Sequence, residues 1–430
     1  MSSNETVANA ILGIDTLWGG DVMCPSGTGR FIADSWFSDE PLPVAYTHPT
    51  AARVRESGGV SARQPDRAAI DAYLAAVDVR GAIRALAREE LEVMWDLAME
   101  VLGKGEPVPY ERCVMASTGA APTPSNPAPK RERLAELLSR LGYNGDLLAA
   151  AGAWRRERLT PMASVRALGE AFIADFDRLS ERNLLPYLPE ETRRVPRANI
   201  RFLPIKDAWF SGSMNYIGRA RTAAGEPEYE ATYEINASLE ISIPEFQQLV
   251  SHEVVPGHVT TFAYLQNLYT RGRVGFEASV LTMNTRAATL FEGIANNAIL
   301  IAHGVTEIDQ LPDDDLQIGV LLALLQDDAK NQASYLTWKE HAPQPEVADI
   351  LRRDFLVSEE RAGKLSGAWG RHPLLGRMYL PAYRAGTDRV AALRLRHPPE
   401  RILPALYGCN GLVDITTVER AANLGKNARE

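Results

Sequence analysis

Cysteine is scarce in this chain: Cys24, Cys113 and Cys409 are the only 3. They are widely spaced and form no CxxC pair, which excludes a disulfide framework and fits buried or free thiols in a reducing compartment. Long apolar runs are also missing. The longest, IGVLLALLQ from Ile318, is bounded by acidic clusters and too short to span a bilayer. The N-terminus, MSSNETVANAILGID, has no basic leading segment and sets Glu5 and Asp15 around a short apolar run, so it does not read as a signal peptide. A cytoplasmic protein with no membrane partner is expected. Positive charge is scattered and the formal net charge is −9, which argues against nucleic acid as a partner. No internal repeat, P-loop or GxSxG segment occurs, so nucleotide-binding and serine-hydrolase readings lack support.

What is present is an ordinary globular composition, 45% apolar and 23% charged over 430 residues, enough for a large core. The Gly/Pro/Ser-rich segment 13–65 is expected to wrap the surface. A helix-period pattern runs from Asp66 to Leu102 and stops at Gly103 and Gly105. The run STGAAPTPSNPAPK (residues 117–130) must be loop, either a flexible connector or a lid. The segment RLGYNGDLLAAAGAWRRERL reads as a solvated helix-loop-helix, and helical patterns also cover 131–139 and 162–182. Between Asn199 and Asn236 the texture changes: ANIRFLPI and EYEATYEIN carry β-branched and aromatic residues in short runs, as in a small sheet. Long helices follow at about 244–271, 276–303, 312–338, 344–370 and 374–393. The expected fold is mainly α with a small β-sheet. A division into an N-terminal helical lobe, 1–198, and a catalytic lobe, 199–430, fits this change of texture.

Of 7 histidines in the chain, two fall in the segment HEVVPGH, His252 and His258, with Glu253 between them. Two imidazoles and a carboxylate on a helix are how zinc hydrolases hold their ion and supply a general base. The usual histidine spacing is four, because i and i+4 share a helix face. Here it is six, about 600° of helix, which puts His258 roughly 120° off the face of His252. Pro256 offers a repair. It lacks the N–H that would reach the carbonyl of His252, and a kink or bulge eased by Gly257 can absorb two residues. A proline within IPEFQQLVSHEVVPGHVTTFAYLQNLY otherwise costs about 3 kcal/mol. The plain alternative is a helix end, with Pro256-Gly257 as a turn between unrelated histidines.

A third ligand should come from the next helix. Glu292 sits in a strongly apolar stretch, where a carboxylate is costly unless paired or metal-bound. Asn296, four residues on, shares its face and is expected to hold the Glu292 carboxylate. Glu277 competes, though the helix dipole alone explains an acid near a helix start. His303 is eleven residues beyond Glu292, about 16 Å along the axis, and reads as a helix C-terminal histidine.

With HEVVPGH followed by FEGIA, forty residues from His252 to Glu292, the chain resembles a bacterial family catalogued as a domain of unknown function (DUF eight-eight-five). That family is marked by HExxPGH and an EGWA-like segment and is similar to mainly helical zinc metallopeptidases with a deep cleft between two lobes. The resemblance covers roughly residues 200–390. It implies zinc on His252, His258 and Glu292, with Glu253 as base. EATYEIN, ending at Asn236, is similar to the family's short strand, which implies backbone hydrogen bonds to an extended substrate. YLPAYRAG resembles the family's tyrosine segment, which implies that Tyr383 donates to the developing oxyanion, with Tyr379 one turn earlier as the alternative. The family's EGWA tryptophan is Ile294 here, and its frequent acid seven positions after the ligand is Ile299.

Asp313-Asp314-Asp315 is better explained as a helix cap than as a calcium site. His372 is a loop or helix-start residue within possible reach of a cleft. Arg377 and Arg384 are candidates for a substrate carboxylate, against a plain surface role. The expected activity is hydrolysis of an amide or peptide bond, with a small peptide or amide-containing metabolite as substrate and a homodimer left open. The alternatives are a hydrolase or lyase acting on a non-peptide C–N bond, and a non-catalytic helical protein that holds a metal.

Overall fold

Helix-period segments become helices here wherever a cap closes them. The computed structural model describes residues 78–424 apart from 102, 206–211, 218–222, 237–240, 276–283 and 368, together with Thr6, Ala10 and Ile14. Apart from Ile14, the surface segment 13–65 lies outside the described residues, as do Glu277 and the side chain of Asn236. In the first half, α1 (Val79–Leu86) is capped by Asp78, whose carboxylate accepts from the Gly81 amide at 2.8 Å. The expected continuous helix to 102 breaks at Ala87, which takes a left-handed conformation (φ 51°), before α2 (Glu89–Val101). Next come α3 (Tyr110–Thr118), α4 (Ala128–Arg140), α5 (Leu147–Glu157), α6 (Val165–Asn183) and the short α7 (Glu190–Arg193). The α4–α5 pair was expected to be solvated; instead one face of each helix is buried. Leu134, Leu137 and Trp154 are fully buried against Ile318 and Leu325, because Trp154 is apolar over its ring and hands its N–H to Asp315 at 2.8 Å.

The sheet has three strands in the order β1 (Ile200–Ile205), β3 (Glu230–Asn236), β2 (Gly212–Ile217). Central β3 runs parallel to β1 and antiparallel to β2. Both of its hydrogen-bonding edges are therefore taken. The expectation that EATYEIN offers its backbone to a substrate is overturned, since a strand paired on both sides has no amides left to give. The edge strand packed on the metal-motif helices is β2.

The second half holds α8 (Ile243–Glu253), α9 (His258–Thr270), α10 (Arg286–His303), α11 (Asp314–Trp338), α12 (Gln344–Phe355), α13 (Glu359–Ser366), α14 (Leu380–Arg396), α15 (Pro399–Leu406) and α16 (Ile415–Leu424). The expected 344–370 helix is interrupted by Leu356, left-handed at φ 57°. Asp313 caps α11 by accepting from the Leu316 amide at 2.8 Å, so the aspartate run does what a cap does. Helix α10 packs on α8 and α14, and α11 packs on the same two, so these four helices close a ring around a common interior. The main hydrophobic core draws from both sides of residue 198, from Ala10 to Ala422. Among the described residues no helix is long and apolar enough to cross a membrane.

Candidate metal centre

Each site side chain is positioned by a helix end or a helix crossing. Ser242 opens α8 with a reciprocal capping box to Glu245, and the helix ends on His252-Glu253. The chain then turns through Val254–Gly257 and starts again at His258, the first residue of α9. A continuous kinked helix was expected; two helices joined by a tight turn are observed. The turn does what the kink was meant to do. Gly257 is required in it, because a Cβ there would lie 1.8 Å from the His252 carbonyl oxygen. Its exit is fixed from the far end of the chain, where the buried Tyr407 hydroxyl donates to the Pro256 carbonyl at 2.8 Å.

The two imidazoles face each other with ring centres 4.8 Å apart and planes at 89°. Glu292, mid-way along buried α10, points its Oε2 at both: 3.5 Å from His252 Nε2 and 3.7 Å from His258 Nε2. One ligand atom from each of the three lies within 4.8 Å of the others. Glu292 Oε2 is buried and accepts no hydrogen bond. An orphaned carboxylate oxygen between two imidazole nitrogens is what a divalent cation would satisfy, and the donor set, two nitrogens and one oxygen, suits zinc. The three residues therefore fit a zinc ion. Their side chains keep 13%, 12% and 6% exposure for His252, His258 and Glu292, so solvent still touches the site.

Asn296 was expected behind Glu292. It instead holds His252, with Oδ1 2.8 Å from Nδ1, because α8 packs across that face of α10. Asn296 Nδ2 donates to Thr387 Oγ1 at 2.8 Å, and Thr387 gives its own proton to the Tyr383 carbonyl at 2.7 Å. The direction of this chain assigns the tautomer: Thr387 can only accept from an amide N–H, so Asn296 presents its oxygen, and His252 Nδ1 carries the hydrogen. The Nε2 lone pair is left facing Glu292. The Glu292 carboxylate is held by Tyr379, whose hydroxyl donates to Oε1 at 2.7 Å, while Tyr383 donates to Tyr379 at 3.1 Å. A π-helical turn at Leu375–Tyr379 precedes α14 and places Tyr379 on the metal side. Gly293 on α10 and Gly386 on α14 let the helices touch; a Cβ on Gly386 would meet the Thr289 carbonyl at 2.0 Å.

Burial pulls His252 down to about 3, with the charge of His258 adding to it. Burial opposes a charge on His258 too, but contact with Glu292 outweighs it and raises that imidazole. Burial also pushes the Glu253 carboxyl up to about 7, partly offset by His258. Burial, then the charge of Glu292, holds both tyrosine hydroxyls protonated far above neutrality.

The other sequence candidates lie elsewhere. Arg384 ties down the Pro-rich segment, donating to the Pro124 carbonyl at 2.9 Å and the Thr123 carbonyl at 3.2 Å. With Ser125 bonded to Gln332 and Asp328, this loop is a strap fastened to α11 and α14. Arg377 is buried, not at the surface, and grips the Glu100 carboxylate at 2.9 Å. His372 accepts from the Leu374 and Leu375 amides, capping the turn that follows. His303 ends α10 before left-handed Gly304. Thr387 and Lys330 were not anticipated. Thr387 lies one turn beyond Tyr383, and Lys330 is a cation within a mostly buried helix, the same signal that singled out Glu292.

No family model and no curated protein matches the chain. Among solved structures it is similar to "the putative lipoprotein from Colwellia psychrerythraea", with a TM-score of 0.53 and 15% identity over 88% of this chain and 63% of that one. It is also similar to "a putative lipoprotein of unknown function from Shewanella oneidensis", with a TM-score of 0.51 and 12% identity over 85% and 69%. The chain thus spans about two thirds or less of the length of these neighbours. At such identities the likeness is one of fold.

Proposed function

We propose that the protein is a zinc-dependent hydrolase of the HExxPGH type that cleaves an amide or peptide bond. The observation that carries this is the convergence of His252, His258 and Glu292 around a buried, unsatisfied Glu292 oxygen. Three donors converge among the described residues, not four, which favours an open catalytic position over a structural site. A divalent ion held there supplies Lewis-acid polarisation of the scissile carbonyl and lowers the pKa of the attacking water.

The chain's own residues do the rest. Glu253, the last residue of α8 and next to His252, takes a proton from the attacking water and returns it to the leaving amine. Tyr383, once its hydroxyl turns away from Tyr379, donates to the oxygen that gains charge. Asn296 and Thr387 keep the His252 lone pair aimed. The substrate enters a cleft between the two helical lobes and lies along the β2 edge, since β3 has none. A small peptide or amide-containing metabolite suits a site this enclosed. A reducing, cytoplasmic setting is part of the proposal and rests on buried, free Cys113 and Cys409.

Elemental analysis of the purified protein, followed by turnover of a small-peptide set, tests the reading. Glu253→Gln should keep stoichiometric zinc and lose roughly 10²-fold or more in rate. Full activity in that variant sinks the mechanism.

A further inference from the structure

A second pocket lies away from the metal centre, where α6, α10 and α14 end and α15 begins. It holds about 460 Å³, partly open to solvent, within the ~300–1,000 Å³ of small-molecule sites. Ile301 in its wall is nine residues past Glu292, about 13.5 Å along α10, so a small ligand here would not touch the zinc ligands. Much of the wall is apolar: Ile301, Ile402 and Leu403 are buried, and exposed Tyr187 stands at the rim. Asn183 is bonded within the fold, donating to the Ala302 carbonyl at 2.7 Å. Among the described residues no aspartate or glutamate lines the pocket, and Arg394 is its one arginine or lysine.

Arg394 is 8% exposed, and its partners are neutral oxygens. Of the five N–H donors of a guanidinium, Nη1 gives one to Asn297 Oδ1 at 3.1 Å and Nη2 gives one to the Val305 carbonyl. Nε donates to nothing and is not sealed from solvent, and among the described residues no carboxylate pairs with the group. Burial draws it down to about 10. Closing the end of α10 accounts for the Val305 bond, but a neutral donor would do as much. It does not account for a cation with donors to spare beside an apolar pocket. Uncompensated charge away from bulk water is costly, and an arriving anion removes the cost. A carboxylate matches a guanidinium with two parallel hydrogen bonds. One cation and apolar walls favour a single negative charge on a compact apolar body over phosphate.

We propose that this pocket binds a small monocarboxylate, with its acid group on Arg394 and a branched or aromatic body against Ile301, Ile402 and Leu403. The site is separate from the metal centre and stands whether or not the hydrolase reading holds.

The test is a ligand-detected NMR titration of the full chain with 3-methylbutanoate and phenylacetate, against the matching alcohols and inorganic phosphate. At least one acid should bind about tenfold or more tighter than its alcohol, the scale of one charge-assisted contact, and tighter than phosphate. Arg394→Met should bring that acid down to the level of its alcohol. Thr306→Trp, a half-buried wall position, narrows the pocket with the guanidinium in place and should weaken acid and alcohol together. Equal binding of acid and alcohol, binding of neither acid, or phosphate binding as tightly as the acids overturns the proposal. So does acid selectivity that survives Arg394→Met, or an acid affinity that Thr306→Trp leaves unchanged. If Arg394→Met does not fold, Thr306→Trp still decides, since an acid held at the metal centre would ignore it.

Discussion

At the level of single residues, the His252 lone pair depends on a hydroxyl that never approaches the metal position. Thr387 accepts from Asn296, which accepts from His252, and each bond fixes the direction of the next. Thr387→Val removes one acceptor and one donor from this chain. Zinc affinity in a competition titration should drop roughly 10- to 100-fold, with Thr387→Ser close to the original. An unchanged affinity in the valine variant means that the imidazole is oriented without it. His372 carries a different prediction, about acid stability. Burial, with the charge of Arg377 adding to it, lowers this imidazole from 6.5 to about 4. The unfolded chain therefore takes up a proton near pH 6.5 that the folded chain refuses until about pH 4. The contribution is complete above the upper value, erodes as pH falls, and is gone below the lower one. In urea titrations across that window, His372→Asn should show a shallower acid loss than the parent; equal slopes would assign the linkage to other groups.

At the level of elements, the site is made by one interruption and one crossing. The interruption is the Val254–Gly257 turn, which lets the second histidine begin a new helix rather than ride 120° out of phase, as an ideal helix would roughly require. The crossing is that of α10 and α14 at Gly293 and Gly386. Gly386→Ala would put a methyl group 2.0 Å from the Thr289 carbonyl, so the helices must part. Overpacking of this kind costs about 1–3 kcal/mol, and it also draws Tyr379 away from Glu292. Denaturant titration should show the lost stability, and the same variant should bind zinc more weakly. Intact zinc affinity would show that the crossing does not set the ligand geometry.

For the whole molecule, the three candidate ligands come from residues 252 to 292 and their supports from as far as Tyr407, so an ion held there would link its binding to folding. Saturating zinc, at about 100 times its dissociation constant, should stabilise the protein by about 2.7 kcal/mol, and a chelator should reverse this. The readout is the urea midpoint with and without chelator. A midpoint that ignores zinc would remove the metal from the account of this fold.

The local signals were legible from the chain alone. HEVVPGH, a carboxylate in an apolar helix, the Asp313 cap and the helix end at His303 all depend on residues within one or two helical turns, where sequence spacing is spatial spacing. The same reasoning placed the small sheet between 199 and 236 and the mainly helical class. It missed what depends on which face meets which. Asn296 was assigned to its own-helix neighbour Glu292, whereas the crossing with α8 gave it to His252. EATYEIN was read as an open strand until pairing on both sides closed it. HEVVPGH and the buried Glu292 named the candidate ligands from sequence alone. Only the tertiary structure decided how they face one another and what holds them, because those contacts join residues tens of positions apart and are set by helix crossings that no local pattern encodes.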